Sequence, residues 1–295
     1  RHGNGCGEMP RLLLNICHTK RQKWFCIAGS AIGAVLACTV VTAPAQAADG
    51  EPVRLSYDAY MGPFYVVSAE AELRLEGDSY RVVTRARSEG IAALFFSWES
   101  EARSEGLHSA AGLRPSRHEV AGEWRGELRQ IRLTYGQAGP VDFRVQPPPD
   151  GTERDPVPAN LTVGTVDPLS GTLAVLMRIA RGGRCEGELP IFDGRRRYDM
   201  IVKPGAPTVL PAIHSSIFSG VAQRCEFELR RIAGFWKKQS KFGRRVTDPV
   251  LWVASPLDGV PPVPVRLTAS TGFGDLRIHL TRVQRGRRII ALPES

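Results

Sequence analysis

The strongest constraint on the fold of this chain is an alternation of apolar and polar residues with a period of two. In residues 70–76 every second residue is Ala or Leu, and the residues between them are Glu or Arg. The same alternation recurs over residues 80–87, 130–135, 225–230 and 263–280. It is typical of antiparallel strands with one solvated face. The sequence therefore predicts a mainly β fold of about ten to twelve strands, in which a large curved antiparallel sheet rolls into an open barrel or spiral.

One segment has helical spacing instead. Its apolar residues recur every three or four positions: Leu169, Leu173, Leu176 and Ala180. Asp167 suits the N-cap, Pro168 suits the first turn, and Gly182-Gly183 suits the end of a helix. We predict one amphipathic helix at about residues 167–181, packed on the concave side of the sheet. Within its stripe, Leu169, Leu173 and Leu176 are candidates for a ligand site, as a permanent plug or as a lid.

The N-terminal segment predicts export. Basic residues at positions 20, 21 and 23 precede an uncharged run from Trp24 to Val41, and Ala45-Gln46-Ala47 forms a small-x-small cleavage site. We interpret residues 1–47 as a signal peptide, with residues 1–8 as an N-terminal extension, and expect a periplasmic protein. The alternatives are an uncleaved anchor and a lipoprotein attached through Cys38.

Cysteine usage agrees with export. Six cysteines are present, and only Cys185 and Cys225 follow the predicted cleavage site. Two remaining cysteines in an exported chain favour one disulfide bond, and the alternative is a pair of buried thiols.

The remaining chain is long enough for one β-rich domain, which we place at residues 48–284, followed by a basic C-terminal tail at 285–295. The formal net charge of +9 is supplied in part by the predicted signal peptide. The mature chain is therefore only mildly basic, and we expect no nucleic-acid partner. The composition does not indicate an oligomeric state.

Two polar clusters are candidate sites. Asp193-Gly194 followed by Arg195, Arg196 and Arg197 predicts a hairpin turn with a charged strand face, or a clamp for a phosphate or carboxylate. The second cluster mixes aromatic and cationic side chains, which suits contact with an anionic membrane surface, although a solvated loop has the same composition. Its members are Trp236, Lys237, Lys238, Lys241, Phe242, Arg244 and Arg245.

Motifs of enzymes and metal sites are missing from the sequence. It has no Gly-x-Ser-x-Gly elbow, no pair of Cys or His at zinc spacing and no phosphate-binding loop. We therefore expect no catalytic residue, no metal and no cofactor. His279 alternates with apolar residues of its strand, which predicts a solvated position on the polar face, and the alternative is a ligand or a catalytic base.

Several short motifs resemble those of a bacterial exported family known as domain of unknown function 3108. The more specific ones are Asp167-Pro-Leu-Ser170 and Phe192-Asp-Gly-Arg-Arg196, and the weaker ones are Tyr57-Asp-Ala-Tyr60 and Thr271-Gly-Phe-Gly274. The likeness extends over roughly residues 52–282 and implies an envelope protein without established chemistry. By analogy of fold alone, such a sheet is also similar to the Lol-type periplasmic lipoprotein carriers.

Together these observations predict a non-enzymatic protein of the cell envelope. Its concave face would bind an amphipathic, lipid-like ligand or an envelope protein. The first alternative is a structural or interaction module whose interior is filled by its own side chains. The second is an enzyme acting on cell-wall glycan, which requires convergent carboxylates in a cleft.

Overall fold

The computed structural model describes residues 50–95, 97–124, 126–152, 154–237, 247–272 and 274–293. The predicted signal peptide therefore lies outside the described residues. Fifteen strands and two α-helices are present in the described chain. In chain order they are β1 (Val53–Met61), β2 (Phe64–Glu76), β3 (Ser79–Ser88), α1 (Gly90–Phe95), β4 (Trp98–Ser109), β5 (Gly112–Trp124), β6 (Glu127–Thr134), β7 (Asp142–Gln146), α2 (Pro168–Ala180), β8 (Gly187–Phe192), β9 (Arg197–Pro204), β10 (Thr208–Leu210), β11 (Gly220–Ala233), β12 (Thr247–Ala254), β13 (Val263–Thr271), β14 (Gly274–Arg285) and β15 (Arg288–Ala291).

All strands belong to one antiparallel sheet, as the alternation predicted. The order of the strands in the sheet is β7-β6-β5-β4-β3-β2-β1-β14-β13-β12-β11-β9-β8, with β10 beside β11 and β15 beside β14. Among the described strands the two ends of this order, β7 and β8, do not pair with each other, so the sheet is not closed. The fold class predicted from the sequence is confirmed. The number of strands is higher than expected, because elements as short as β10 and β15 are too brief to show a period.

The polar residues of the alternating strands form ion pairs between neighbours. Arg85 of β3 contacts Glu101 of β4 with 2.7 Å between Nε and a carboxylate oxygen, and Arg132 of β6 contacts Glu119 of β5 at the same distance. The opposite side of these strands carries apolar and small residues. We call the side that faces α2 the inner face of the sheet and the ion-paired side the outer face.

Helix α2 confirms the predicted helix. The Asp167 carboxylate accepts hydrogen bonds from the backbone N–H groups of Leu169 and Ser170, both at 3.0 Å, which satisfies donors that every helix start leaves free. The helix ends at Ala180 and is followed by Gly182 with φ +80°. Its Val175 and Leu176 pack in a core cluster with residues of strands β8, β9, β11 and β12.

The same helix also contacts β4 and β5, which lie near the other end of the strand order from β8. One helix reaches both regions only because the sheet curves around it. Cys185, in the connection after α2, forms a disulfide bond with Cys225 of β11, and their Cα atoms are 5.7 Å apart. The predicted pairing is therefore present, inside the same core cluster.

Most connections lie alternately at the two ends of the strands, because neighbouring strands of the sheet are antiparallel. One end of the strands carries the β1–β2 turn, α1, the β5–β6 turn, the β8–β9 turn and the β11–β12 and β13–β14 connections. We call this rim of the sheet, formed by strand ends and not by an outermost strand, the α1 edge. The opposite edge carries the start of β1, where Val53 pairs with Arg285, and the end of α2, where the Arg181 guanidinium donates to the Ser109 carbonyl at 3.0 Å.

Candidate functional site

A cavity of about 250 Å³ lies on the inner face of β4, β5 and β6, near the α1 edge. Alternation places its lining side chains on the same face as Ser104 and His118, which contact the start of α2. The lining is mostly aromatic, aliphatic and small, with two arginines: Trp98, Ser100, Val120, Gly122, Trp124, Arg129, Ile131 and Arg195, and Glu99 and Glu123 border it. Helix α2 therefore covers the inner face only from Ser104 towards the opposite edge.

Gly122 leaves the floor of this cavity without a side chain. A Cβ atom built on Gly122 would lie 2.4 Å from the Glu99 carbonyl oxygen and 3.0 Å from the Ser100 Cα atom, so only glycine fits between the strands. At the α1 edge of the cavity, Trp98 and Trp124 are opposite each other as a cross-strand pair. The result is a slot with two indoles at its α1 edge and small residues at its floor.

Arg195 enters this cavity from the β8–β9 turn. Asp193 organises the turn, since its Oδ1 accepts hydrogen bonds from the N–H groups of Arg195 at 2.9 Å and Arg196 at 2.7 Å. Gly194 has φ +87°, and a Cβ atom there would lie 2.4 Å from Ile131 of β6. The predicted Asp-Gly turn is thus present, and glycine is required both by the backbone angle and by the close approach to β6.

The three consecutive arginines have three different environments. Arg196 forms an ion pair with Asp193 at 2.7 Å, and Arg197 forms one with Asp199 at 2.6 Å. The Arg195 guanidinium donates to the Pro147 carbonyl oxygen at 2.8 Å and lines the cavity. The structure therefore does not bring Arg195, Arg196 and Arg197 together as one clamp. Consecutive residues of a strand point to opposite faces, so alternation predicts that Arg196 and Arg197 are separated. The position of Arg195 depends on the conformation of the turn.

A buried polar network surrounds the start of α2. The Ser104 hydroxyl donates to Asp167 at 2.6 Å and accepts from His118 Nδ1 at 2.7 Å, while the Ser170 hydroxyl donates to the other Asp167 oxygen at 2.5 Å. The Tyr80 hydroxyl completes the chain at 2.7 Å from Ser170. Burial alone would raise the pKa of Asp167, but the hydrogen bonds and the neighbouring His118 hold it below its ordinary value.

This network differs from a nucleophilic triad. In a triad the histidine lies between the serine and the carboxylate and bonds each with a different nitrogen. Here His118 presents one nitrogen, Nδ1, to both partners, at 2.7 Å from the Ser104 hydroxyl and 3.2 Å from Asp167 Oδ1, and all three side chains are buried beside the start of the helix. Sequence reasoning identified Asp167 as a helix cap but missed its partners, because Ser104 and His118 lie far away in the chain. Among the described residues no group of three or more His, Cys, Asp or Glu is placed to hold a metal ion.

The predicted ligand or lid residues of α2 lie deeper than the cavity. Leu173 and Leu176 are buried, and Leu169 is half-buried. A small apolar space of about 90 Å³ separates Leu173, Leu176 and Met177 from Leu73 of β2. Most of the stripe is therefore packed core, and the larger open space lies beyond the start of the helix.

The predicted membrane-contact loop is only partly described. Trp236 is half-exposed, and the Arg154 guanidinium lies 4.0 Å from the centre of its ring. Lys237 forms an ion pair with Asp155 at 2.7 Å and donates to the Gly151 carbonyl at 2.9 Å. The other five members of the cluster lie outside the described residues: Lys238, Lys241, Phe242, Arg244 and Arg245. Further exposed apolar side chains occur at this α1 edge: Phe64, Ile91, Leu94 and Leu128.

The outer face carries a depression of about 520 Å³, which is lined by charged residues of both signs. Arg85 and Glu101 pair within it, and Arg87 pairs with Glu89 beside it. His279, which the alternation predicted to be solvated on this face, is in fact buried. The ring of Tyr60 packs 6.2 Å from its ring, and the backbone N–H of Ile217 bonds the carbonyl of the next residue, Leu280. His279 is therefore shielded from water by Tyr60, a residue far from it in the sequence.

The comparisons with known proteins concern the fold and the family. The profile of a family described as "Protein of unknown function (DUF3108)" matches residues 56–281. No curated protein matches the chain. A solved structure similar to this chain is the crystal structure of a beta-barrel-like protein of domain of unknown function DUF1849 from Brucella abortus. It shares 12% sequence identity and has a TM-score of 0.45, and the similarity covers 80% of this chain and 98% of that chain.

Proposed function

The chain belongs to the DUF3108 family of proteins of unknown function, and we propose that it is a non-enzymatic periplasmic protein of the cell envelope that binds an amphipathic, lipid-like ligand. The ligand would occupy the inner face of the sheet between the start of α2 and the α1 edge. The disulfide bond of Cys185 and Cys225 supports an oxidising compartment, as does the export signal predicted at residues 1–47.

The observation that carries this proposal is the division of the inner face. Towards the opposite edge, α2 buries Leu173, Val175 and Leu176 against the sheet. Helix α2 begins at Pro168, beside Ser104, and the surface between that point and the α1 edge combines Trp98, Trp124 and Ile131 with two arginines. Sites for small molecules are concave, mostly apolar and supplied with a few polar groups, and this slot has that composition.

The size of the cavity limits what it holds. Ligand sites commonly enclose about 300–1,000 Å³, and this slot, at about 250 Å³, is slightly smaller. We therefore propose that it receives a segment of an amphiphile, such as part of an acyl chain, and that the rest of the ligand extends past the α1 edge.

A purely structural role is the second candidate. It is favoured by the tight packing of α2, because Leu173, Val175 and Leu176 are all buried against the rest of the protein. In that case the slot would be an unfilled recess of the sheet, and amphiphiles would not bind in it.

Cavity filling distinguishes the two candidates. The mature protein would be titrated with a fluorescent long-chain fatty acid below its critical micelle concentration. Val120→Trp adds a large side chain on the inner face, and Ala121→Trp adds the same side chain at the next residue, on the outer face. We expect wild type and Ala121→Trp to bind alike and Val120→Trp to bind at least about tenfold more weakly.

Thermal unfolding and circular dichroism would show that both variants are folded, and Ser100→Phe provides a second filling substitution if Val120→Trp unfolds. Absence of binding to the wild type, or equal binding by wild type and both filling variants, would overturn the proposal in favour of the structural role.

A further inference from the structure

Arg195 is placed unlike the other arginines of its turn. Its guanidinium has a backbone carbonyl as acceptor, that of Pro147, whereas Arg196 and Arg197 each contact a carboxylate. Within the part of the chain that the structure describes, no carboxylate forms an ion pair with Arg195. A half-buried cation without a carboxylate is costly to hold, because burial removes its hydration.

Two further cations lie near Arg195. Arg129 lines the same cavity, and its contact with Glu127 is long, at 3.4 Å, with both side chains largely open to water. Burial, together with the charges of Arg154 and Arg129, lowers the pKa of Arg195, although the charge of Asp193 acts in the opposite direction. A guanidinium nevertheless stays protonated at neutral pH, so the repulsion is not relieved by loss of a proton. An anion bound between Arg195 and Arg129 would relieve it.

The apolar half of the site lies directly beside these charges. The indoles of Trp98 and Trp124 and the side chain of Ile131 border the cavity that both arginines line. A ligand that contacts all of them has a charged end and an apolar end. Arginine is also suited to oxygen anions, since its planar fork of N–H groups matches a carboxylate or a phosphate.

We infer that Arg195 and Arg129 form an anion-binding seat at the α1 edge of the cavity and that the bound ligand is an anionic amphiphile with a phosphate or carboxylate head. This inference rests on the proposed function and specifies its ligand. The apolar part of the ligand would lie against Trp98 and Trp124. Arg196 and Arg197, which the sequence also offered for an anion, are excluded from the seat by their own ion pairs.

Three ligands separate the contribution of the anionic head from that of the apolar chain. Two of them share a dodecyl chain, and the third is a phosphate without a chain. Calorimetric titration of the mature protein with dodecyl phosphate, dodecanol and inorganic phosphate tests the head and the chain separately, with dodecyl phosphate below its critical micelle concentration and dodecanol below its solubility limit. We expect dodecyl phosphate to bind about tenfold or more tightly than dodecanol. Inorganic phosphate alone should bind far more weakly than dodecyl phosphate.

Charge variants then locate the seat. Arg195→Gln and Arg129→Gln should each weaken dodecyl phosphate by about tenfold and leave dodecanol unchanged. Arg195→Lys, which keeps the charge but not the fork, should lose less than Arg195→Gln. Arg132→Gln is the matched control, because Arg132 lies on the outer face of the same strand as Arg129 and pairs with Glu119 there. It should leave both ligands unaffected.

The outcomes separate this inference from the proposed function. If dodecanol and dodecyl phosphate bind equally and both are blocked by Val120→Trp, the amphiphile site stands and the anion seat is overturned. If inorganic phosphate binds as tightly as dodecyl phosphate, the arginines hold a free anion and the amphiphile is overturned as its ligand. If none of the three binds, both proposals fail.

Discussion

Two buried polar residues, Asp167 and His279, show how differently single residues are accommodated in this sheet. Asp167 has a partner for each carboxylate oxygen, whereas His279 Nδ1 is buried with no hydrogen-bond partner among the described residues. The role of Asp167 as a cap was predictable, because it depends on the four residues that follow it. The burial of His279 was not, since it depends on Tyr60 and on the segment around Ile217.

We expect His279 to make the stability of the protein depend on pH. Burial and the neighbouring Arg266 and Arg277 lower its pKa from 6.5 to about 4. Below pH 6.5 the unfolded chain therefore binds a proton that the folded protein does not bind. Stability should fall as the pH falls from about 6.5 to about 4, by at most about 1.4 kcal/mol per pH unit.

Urea unfolding of wild type and His279→Gln at several pH values between 4 and 7 measures this dependence. The carboxylates titrate in both proteins, so the difference between the two free energies isolates the histidine. Parallel curves over this range would contradict the assignment.

Asp167→Ala should be among the most destabilising single substitutions in α2. It removes a helix cap, typically worth about 1 kcal/mol, and leaves buried donors of Ser104 and Ser170 without an acceptor, at about 1–3 kcal/mol each. We expect a total loss of about 3 kcal/mol or more in chemical denaturation at pH 7. Asp167→Asn, which keeps one acceptor oxygen, should lose less. A change below about 0.5 kcal/mol for Asp167→Ala would show that the network contributes little.

At the scale of the elements, the sequence was most informative where the determinants are local. Helix α2 was predicted from its cap, its stripe and its terminal glycines, all within residues 167–183. The long alternating strands were equally clear. Strands β10 and β15 were not, because three or four residues show no period and pairing with a neighbour defines them. The turn at Asp193-Gly194 was predicted, but the different surroundings of the three arginines that follow were not, because Pro147, Asp199 and the cavity are brought to them by the fold.

The stripe of α2 should behave as packed core in its middle. Leu173→Ala removes a buried side chain and should cost about 2–5 kcal/mol in urea unfolding. Leu169→Ala is the matched control in the same helix, because Leu169 is only half-buried, and it should cost clearly less. Equal losses for both variants would contradict the packing described here. Leu176→Ala should also enlarge the small apolar space beside β2.

The disulfide bond should stabilise the same region by restricting the unfolded chain. Replacing both Cys185 and Cys225 by Ser should lower the free energy of unfolding by about 2–5 kcal/mol. A reducing agent should destabilise wild type by a similar amount and leave the double variant unchanged. Two thiols that can be alkylated in the unreduced protein would contradict the bond.

At the scale of the whole molecule, the fold class was predicted and the site was not. Alternation is a property of each strand, so it indicates a sheet. The cavity instead arises because α2 begins beside Ser104 and leaves the parts of β4 and β5 nearer the α1 edge uncovered. That position is set by the contact of Ser104 and His118 with Asp167, which joins distant parts of the chain. The predicted export, the membrane surface as a partner and the lipid-like ligand stay predictions, and the experiments on the cavity address the last of them.

The start of β1 lies at the edge of the sheet opposite the cavity, where Val53 pairs with Arg285. The N-terminal side of the domain and the mouth of the cavity are therefore separated by the length of the strands. A protein immobilised through its N-terminal side, on a bead or at a bilayer, would present the mouth away from its support. The protein would then be oriented so that the proposed ligand could pass between the cavity and a second surface while the protein stays attached to its support.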